Sequence, residues 1–171
     1  MIGIEFTTFS LIGRCHRTGM LGIAIATSEM AVGSRCIHEE SPRCCRLGKV
    51  FVGEVGVYTQ RNPDRVRAAD ALFVSNDTYA RRSDGAAYLD VAPELVVEIL
   101  SPHDTVMDLT EKLREYFAIG VKLVWVPDPR ARRVLAFRSL TDVRELAEAD
   151  QLPGDDVLPD FAASVATLFD E

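Results

Sequence analysis

Two near-continuous apolar runs constrain this chain more than any other feature. Residues 94–100 read ELVVEIL, and residues 121–128 read VKLVWVPD. Each has the length and composition of a strand covered on both faces. Between them Leu109, Leu113, Tyr116 and Phe117 recur at helical spacing. Pro102 ends the first strand, Asp104 or Thr105 can cap the helix, and Gly120 supplies its C-terminal stop. A helix joining two buried strands predicts a parallel crossover, and with it an α/β sheet.

The neighbouring segments extend that sheet. KVFVGEVGVYTQ (49–60) is rich in β-branched and aromatic residues and reads as a strand. RNPDR is a turn with Pro63 and Asp64 at its tip, and AADALFVS a second, shorter strand. Residues 76–92 are polar and glycine-containing, a loop with room for one helical turn. After the second apolar run come a turn at PRAR, a strand at RVLAFRS and a short edge strand in VRELAEA. QLPGDDVLPD reads as a loop and FAASVATLFD as a short closing helix. The expectation is a mixed β-sheet with helices packed against it, the early strands forming a meander.

The first 48 residues differ from the rest. They contain no Asp and no Lys, yet hold all four cysteines. They read as helix and loop, an atypical N-terminal segment preceding a domain over 49–171. Cys15, Cys36, Cys44 and Cys45, with His16 and His38 nearby, match no common zinc spacing. Reduced thiols of a cytoplasmic protein are the simpler reading. Cys36 and His38 make a thiol enzyme only if the fold brings them together. No apolar run reaches membrane-spanning length. MLGIAIATSEMAVG is a poor secretion signal, since Ser28 and Glu29 interrupt it. The net charge of −7 argues against a nucleic-acid coat protein, but its distribution is uneven. Residues 140–171 carry nine acids and one Arg, so the other 139 residues sum to +1.

Three carboxylates stand inside strand-like segments: Glu54 in VFVGEVGVY, Asp70 in AADALFV and Glu98 in LVVEIL. A buried, ionised carboxylate costs several kcal/mol unless it is paired or bound to a metal. Neighbouring strands lie about 5 Å apart, so acids on adjacent strands can converge on one hard cation. Lys112 shares the helix face of Leu109, Leu113 and Tyr116. Its ammonium either snorkels to water or points toward the carboxylates. Acids, a lysine and a hard metal ion together compose a site for phosphodiester hydrolysis.

RVRAADALFV, PELVVEILSP, DLTEKLREYFAIGVKLVWVPDP and LPGDDVLPDF, in this order, resemble the Uma-two family of candidate restriction endonucleases, within the PD-(D/E)xK nuclease superfamily. The resemblance covers about residues 48–171 and implies a restriction-endonuclease-like fold that cleaves DNA with Mg²⁺ or Mn²⁺. It matches Asp70 to the acid of the PD element and Glu98 to the acid of the second element. The superfamily's lysine position is Leu100 here, and Lys112 matches the lysine that this family supplies from the following helix. Glu54 matches an additional acid, and Arg67 a basic position that could touch a phosphate. The family's proline before the first acid is Ala69 in this chain. A homodimer is plausible for cutting both strands, and no membrane partner is expected. The alternative is a catalytically inactive protein on the nuclease fold that binds nucleic acid or a protein partner.

Overall fold

The computed structural model describes residues 8–14, 21–27, 47–159 and 161–169. A six-stranded mixed sheet organises them. Its strands are β3 (Gly48–Gln60), β4 (Arg65–Ser75), β5 (Leu95–Val97), β6 (Leu123–Asp128), β7 (Arg133–Phe137) and β8 (Val143–Leu146), side by side in chain order. Every pair is antiparallel except β5–β6. That parallel pair is joined by helix α2 (Val106–Ile119), the crossover that the two apolar runs predict. The short helix α1 (Asn76–Tyr79) is the single turn expected in the loop after β4.

The ends of α2 follow its sequence. Thr105 accepts from the Asp108 amide while the Asp108 carboxylate accepts from the Thr105 amide, a reciprocal capping box. Gly120 closes the helix at φ +103°, a conformation that a residue with a Cβ rarely adopts.

Each face of the sheet buries its own core. On one face Leu72, Val74, Val96, Val124 and Val126 pack under Leu113 and Tyr116 of α2. On the other, Ala71, Phe73, Leu95, Val97, Leu123 and Trp125 pack against Leu152, Val157, Val165 and Leu168 from the end of the chain. Alternate residues of β4 and β5 therefore serve different cores, as the two-residue period of a strand requires.

Two expectations are corrected. QLPGDDVLPD and FAASVATLFD are not simply loop and helix. Gln151–Pro153 (β9) pairs antiparallel with Ala162–Ser164 (β10), and a 3-10 helix over Val165–Leu168 follows. One face of the sheet is thus covered by a helix and the other by this ribbon and 3-10 turn. The N-terminal segment is not helix and loop where it is described. Thr8–Arg14 (β1) and Leu21–Thr27 (β2) form an antiparallel pair. The LGIAIAT run does alternate, but between large and small apolar residues, which hides its two-residue period from a polar/apolar reading. The four cysteines, His16 and His38 lie outside the described residues. No helix among the described residues is long and apolar enough to cross a membrane.

Candidate active site

The site forms where β4 and β5 stop pairing. Their ladder ends at Ala71↔Val97. Continuing that register sets Asp70 opposite Glu98, and residues so placed have Cβ atoms about 4.5–5.5 Å apart. Asp70 is two residues from Leu72 and Glu98 two from Val96, so the pleat turns both acids toward the α2 side. Glu98 keeps its backbone bond to β6, its amide donating to the Trp125 carbonyl at 3.0 Å. The next amide, Ile99 N–H, donates to Asp70 Oδ2 at 2.7 Å. A side-chain carboxylate thus meets this amide at the end of the ladder. Among the described residues Asp70 Oδ1 has no hydrogen-bond donor.

Glu98 is 4% exposed, and both its oxygens are engaged by α2. Lys112 Nζ donates to Oε2 at 2.6 Å, and the Tyr116 hydroxyl donates to Oε1 at 2.6 Å. Lys112 and Tyr116 are one helical turn apart and share a face. The lysine therefore points to the carboxylate rather than snorkelling away from it.

Burial raises the Glu98 carboxyl above its ordinary range, against the opposing pull of Lys112 and Tyr116. Burial also raises Asp70, against its bond from Ile99 and the charge of Lys112. For Lys112 burial acts downward, but the attraction and hydrogen bond of Glu98 outweigh it and the amine stays above its usual value. The less buried lysine holds its charge, and the carboxylates carry the desolvation cost of the site.

Glu54 lies on β3 at a bulge. Val52 pairs with Ala71 and Val55 with Ala69, so Gly53 and Glu54 together oppose Asp70. Both bulge residues have positive φ, +85° and +50°. For glutamate this is a strained conformation, of the kind that collects at functional sites. The Glu54 charge reaches Asp70 and adds to the upward shift of its carboxyl. The side chain is exposed, and no three His, Cys, Asp or Glu residues among those described are grouped as a ready metal site. The structure brings Asp70, Glu98 and Lys112 together and leaves Glu54 at their margin.

Arg67 is placed differently from the expectation of a free phosphate contact. It makes a two-pronged bond to Glu115 of α2, Nε to Oε2 at 2.8 Å and Nη2 to Oε1 at 2.7 Å. Thr59 and Arg65 donate to the same carboxylate. Hydrogen bonding by Arg67 above all, with Thr59 and Arg65, lowers Glu115 to about 2 despite some burial. This clamp ties α2 to β3 and β4 one turn from Lys112.

Asp104 is a residue whose place sequence reasoning missed. Read as a possible helix cap, it instead accepts from the Ser101 amide and lines the cleft with Glu98, Ile99, Leu100, Leu109 and Lys112. Tyr116 read only as part of the core stripe. Its hydroxyl was the available signal, since a buried tyrosine O–H needs an acceptor.

A family model described as "Putative restriction endonuclease", Uma2, matches residues 34–166. Among solved structures, a crystal structure of a protein from Anabaena variabilis described as "a putative nuclease" is similar, at 19% identity and a TM-score of 0.60. The match covers 73% of this chain and 69% of the other. At that identity the likeness shows a shared fold. No curated protein matches this chain. The family match spans the whole six-stranded sheet, the crossover helix and Asp70, Glu98 and Lys112, and the chain belongs to the Uma2 family.

Proposed function

We propose that this protein is a metal-dependent endonuclease that hydrolyses phosphodiester bonds of DNA. The observation that carries the reading is the junction of Asp70, Glu98 and Lys112 at the end of the β4–β5 ladder. Two acids kept partly desolvated beside a charged lysine are costly for stability alone. The donor set fits Mg²⁺ or Mn²⁺, hard ions that take oxygen ligands and are often held by only one or two carboxylates. Asp70 and Glu98 would hold the ion, with Glu54 as the third acid from the bulge. Such an ion supplies Lewis acidity and lowers the pKa of water.

The chain's own groups do the rest. Lys112 holds a proton and a positive charge at the cleft, where it stabilises the charge that builds on the phosphate. Glu98 holds that ammonium beside the cleft. The Ile99 amide holds the Asp70 carboxylate by Oδ2. Arg67 serves the clamp on Glu115 in this reading rather than the substrate. Cleavage of both strands calls for two sites, which a homodimer supplies. The cytoplasm, with reduced cysteines, is the compartment this reading fits.

One observation favours a second reading, a nuclease-fold protein that binds nucleic acid or a protein without cutting. Both Glu98 oxygens already have donors, so this carboxylate is satisfied as it stands. A plasmid-nicking assay in Mg²⁺, Mn²⁺ or EDTA separates the two. The nuclease reading expects metal-dependent nicking that Asp70→Ala, Glu98→Ala and Lys112→Ala each abolish. Binding without nicking in any metal, by protein folded by circular dichroism, supports the second reading.

A further inference from the structure

Lys112 and Tyr116 grip one carboxylate from one helix face, each on its own oxygen. They are not equivalent. Lys112 is 27% exposed along its side chain and lines the cleft. Tyr116 is fully buried in the same core cluster as Leu72, Val96 and Val124. Its neighbour Glu115 is fixed by Thr59, Arg65 and Arg67, so this turn of the helix is held on two sides. Were Lys112 to turn from Glu98 to a bound phosphate, Tyr116 would still orient the carboxylate.

We propose that Tyr116 is a positioning residue whose hydroxyl, by donating to Glu98 Oε1, sets the carboxylate in the orientation that binds the metal ion. This rests on the metal-dependent reading above. The hydroxyl is held as a donor by its buried ring, 2.6 Å from Glu98 Oε1. Partners of metal-binding carboxylates of this kind commonly govern metal affinity about 10–100-fold.

The test measures Mn²⁺ binding to the full chain directly, by calorimetry, for wild type, Tyr116→Phe, Glu98→Gln and Leu113→Ala. Leu113 is a buried α2 neighbour that makes no bond to Glu98, so its truncation reports on core damage alone. The expected result is binding about 10-fold weaker in Tyr116→Phe, strongly reduced in Glu98→Gln and unchanged in Leu113→Ala. Nicking by Tyr116→Phe should then recover as Mn²⁺ is raised, since the tyrosine acts through Glu98 and not on the phosphate. Wild-type affinity in Tyr116→Phe, or equal weakening in Leu113→Ala, overturns the role of Tyr116 while leaving the metal reading intact. Absence of Mn²⁺ binding by the wild type overturns the metal reading and this inference together.

Discussion

Lys112 and Glu98 meet across the gap between α2 and the sheet, Nζ to Oε2 at 2.6 Å, with the carboxylate 5% and the amine 27% exposed along their side chains. The pair is asymmetric. The lysine retains a path to water, whereas the glutamate depends on its partners for compensation. Removing either partner alone therefore has different consequences from removing both.

Lys112→Ala should destabilise the protein by about 3 kcal/mol, the lower end for a broken buried pair, because Glu98 is left with an uncompensated charge. Glu98→Gln should cost less, since the partly exposed lysine can hydrate. The double variant should recover much of the loss. A double-mutant cycle from urea denaturation measures this. A coupling within about 0.5 kcal/mol of zero would show that the contact contributes nothing.

Asp70→Asn should make the protein more stable while removing metal binding. Burial is the main cause of the raised Asp70 carboxyl, so the folded state holds a proton more readily than the unfolded chain, whose ordinary value is 3.8. Stability then falls as pH rises from 3.8 through the raised folded value, and at neutral pH the ionised group works against folding. An asparagine oxygen can still accept from Ile99 N–H. The expected gain at pH 7 is about 0.5–2 kcal/mol, shrinking to nothing below 3.8. Melting curves of both proteins across pH 3–8 check the sign, and a gain that persists at low pH contradicts it.

Much of this site was legible from residue types alone. Glu98 and Asp70 stood out because an acid inside an apolar strand needs compensation, and Lys112 because it shares a face with Leu109, Leu113 and Tyr116. The crossover was legible because two apolar runs of strand length flank a segment with helical periodicity. What could not be read depends on where side chains meet across the fold. Glu115 looks like an ordinary helix acid, and only the packing of α2 over β3 and β4 brings Arg65 and Arg67 to it. The bulge at Gly53 and Glu54 is a matter of register with β4, for which a glycine inside the strand is only a hint. The closing ribbon was missed because β9 and β10 are three residues each, too short to show a period.

The bulge itself is testable. Glu54 holds φ +50°, and glycine occupies that region without steric cost. Glu54→Gly should stabilise the fold by about 1 kcal/mol, and Glu54→Ala, which keeps a Cβ, should not. If Glu54 also serves as the third acid, both variants should weaken nicking equally despite their different stabilities. Paired melting and nicking measurements separate strain from chemistry. Equal stability of the two variants would remove strain from the account of this bulge.

Glu115→Gln should loosen the clamp that fixes α2. The Glu115 carboxyl is held at about 2 against an ordinary 4.5, chiefly by Arg67, so its charged form favours the folded state. That contribution is fully present above 4.5 and is lost as pH falls from 4.5 toward about 2. Arg65 is half exposed along its side chain, which screens its share of the interaction. A loss of about 1–3 kcal/mol at pH 7 is expected for a carboxylate bonded by two arginines and a threonine. The variant should converge on wild type as the pH approaches 2. Arg67→Lys should recover only part of the interaction, because an ammonium cannot make the two-pronged bond. Denaturant melts at pH 7 and pH 3 read both effects. If Arg67→Lys instead matches wild type in stability but loses DNA affinity, Arg67 acts on the substrate and not in the clamp.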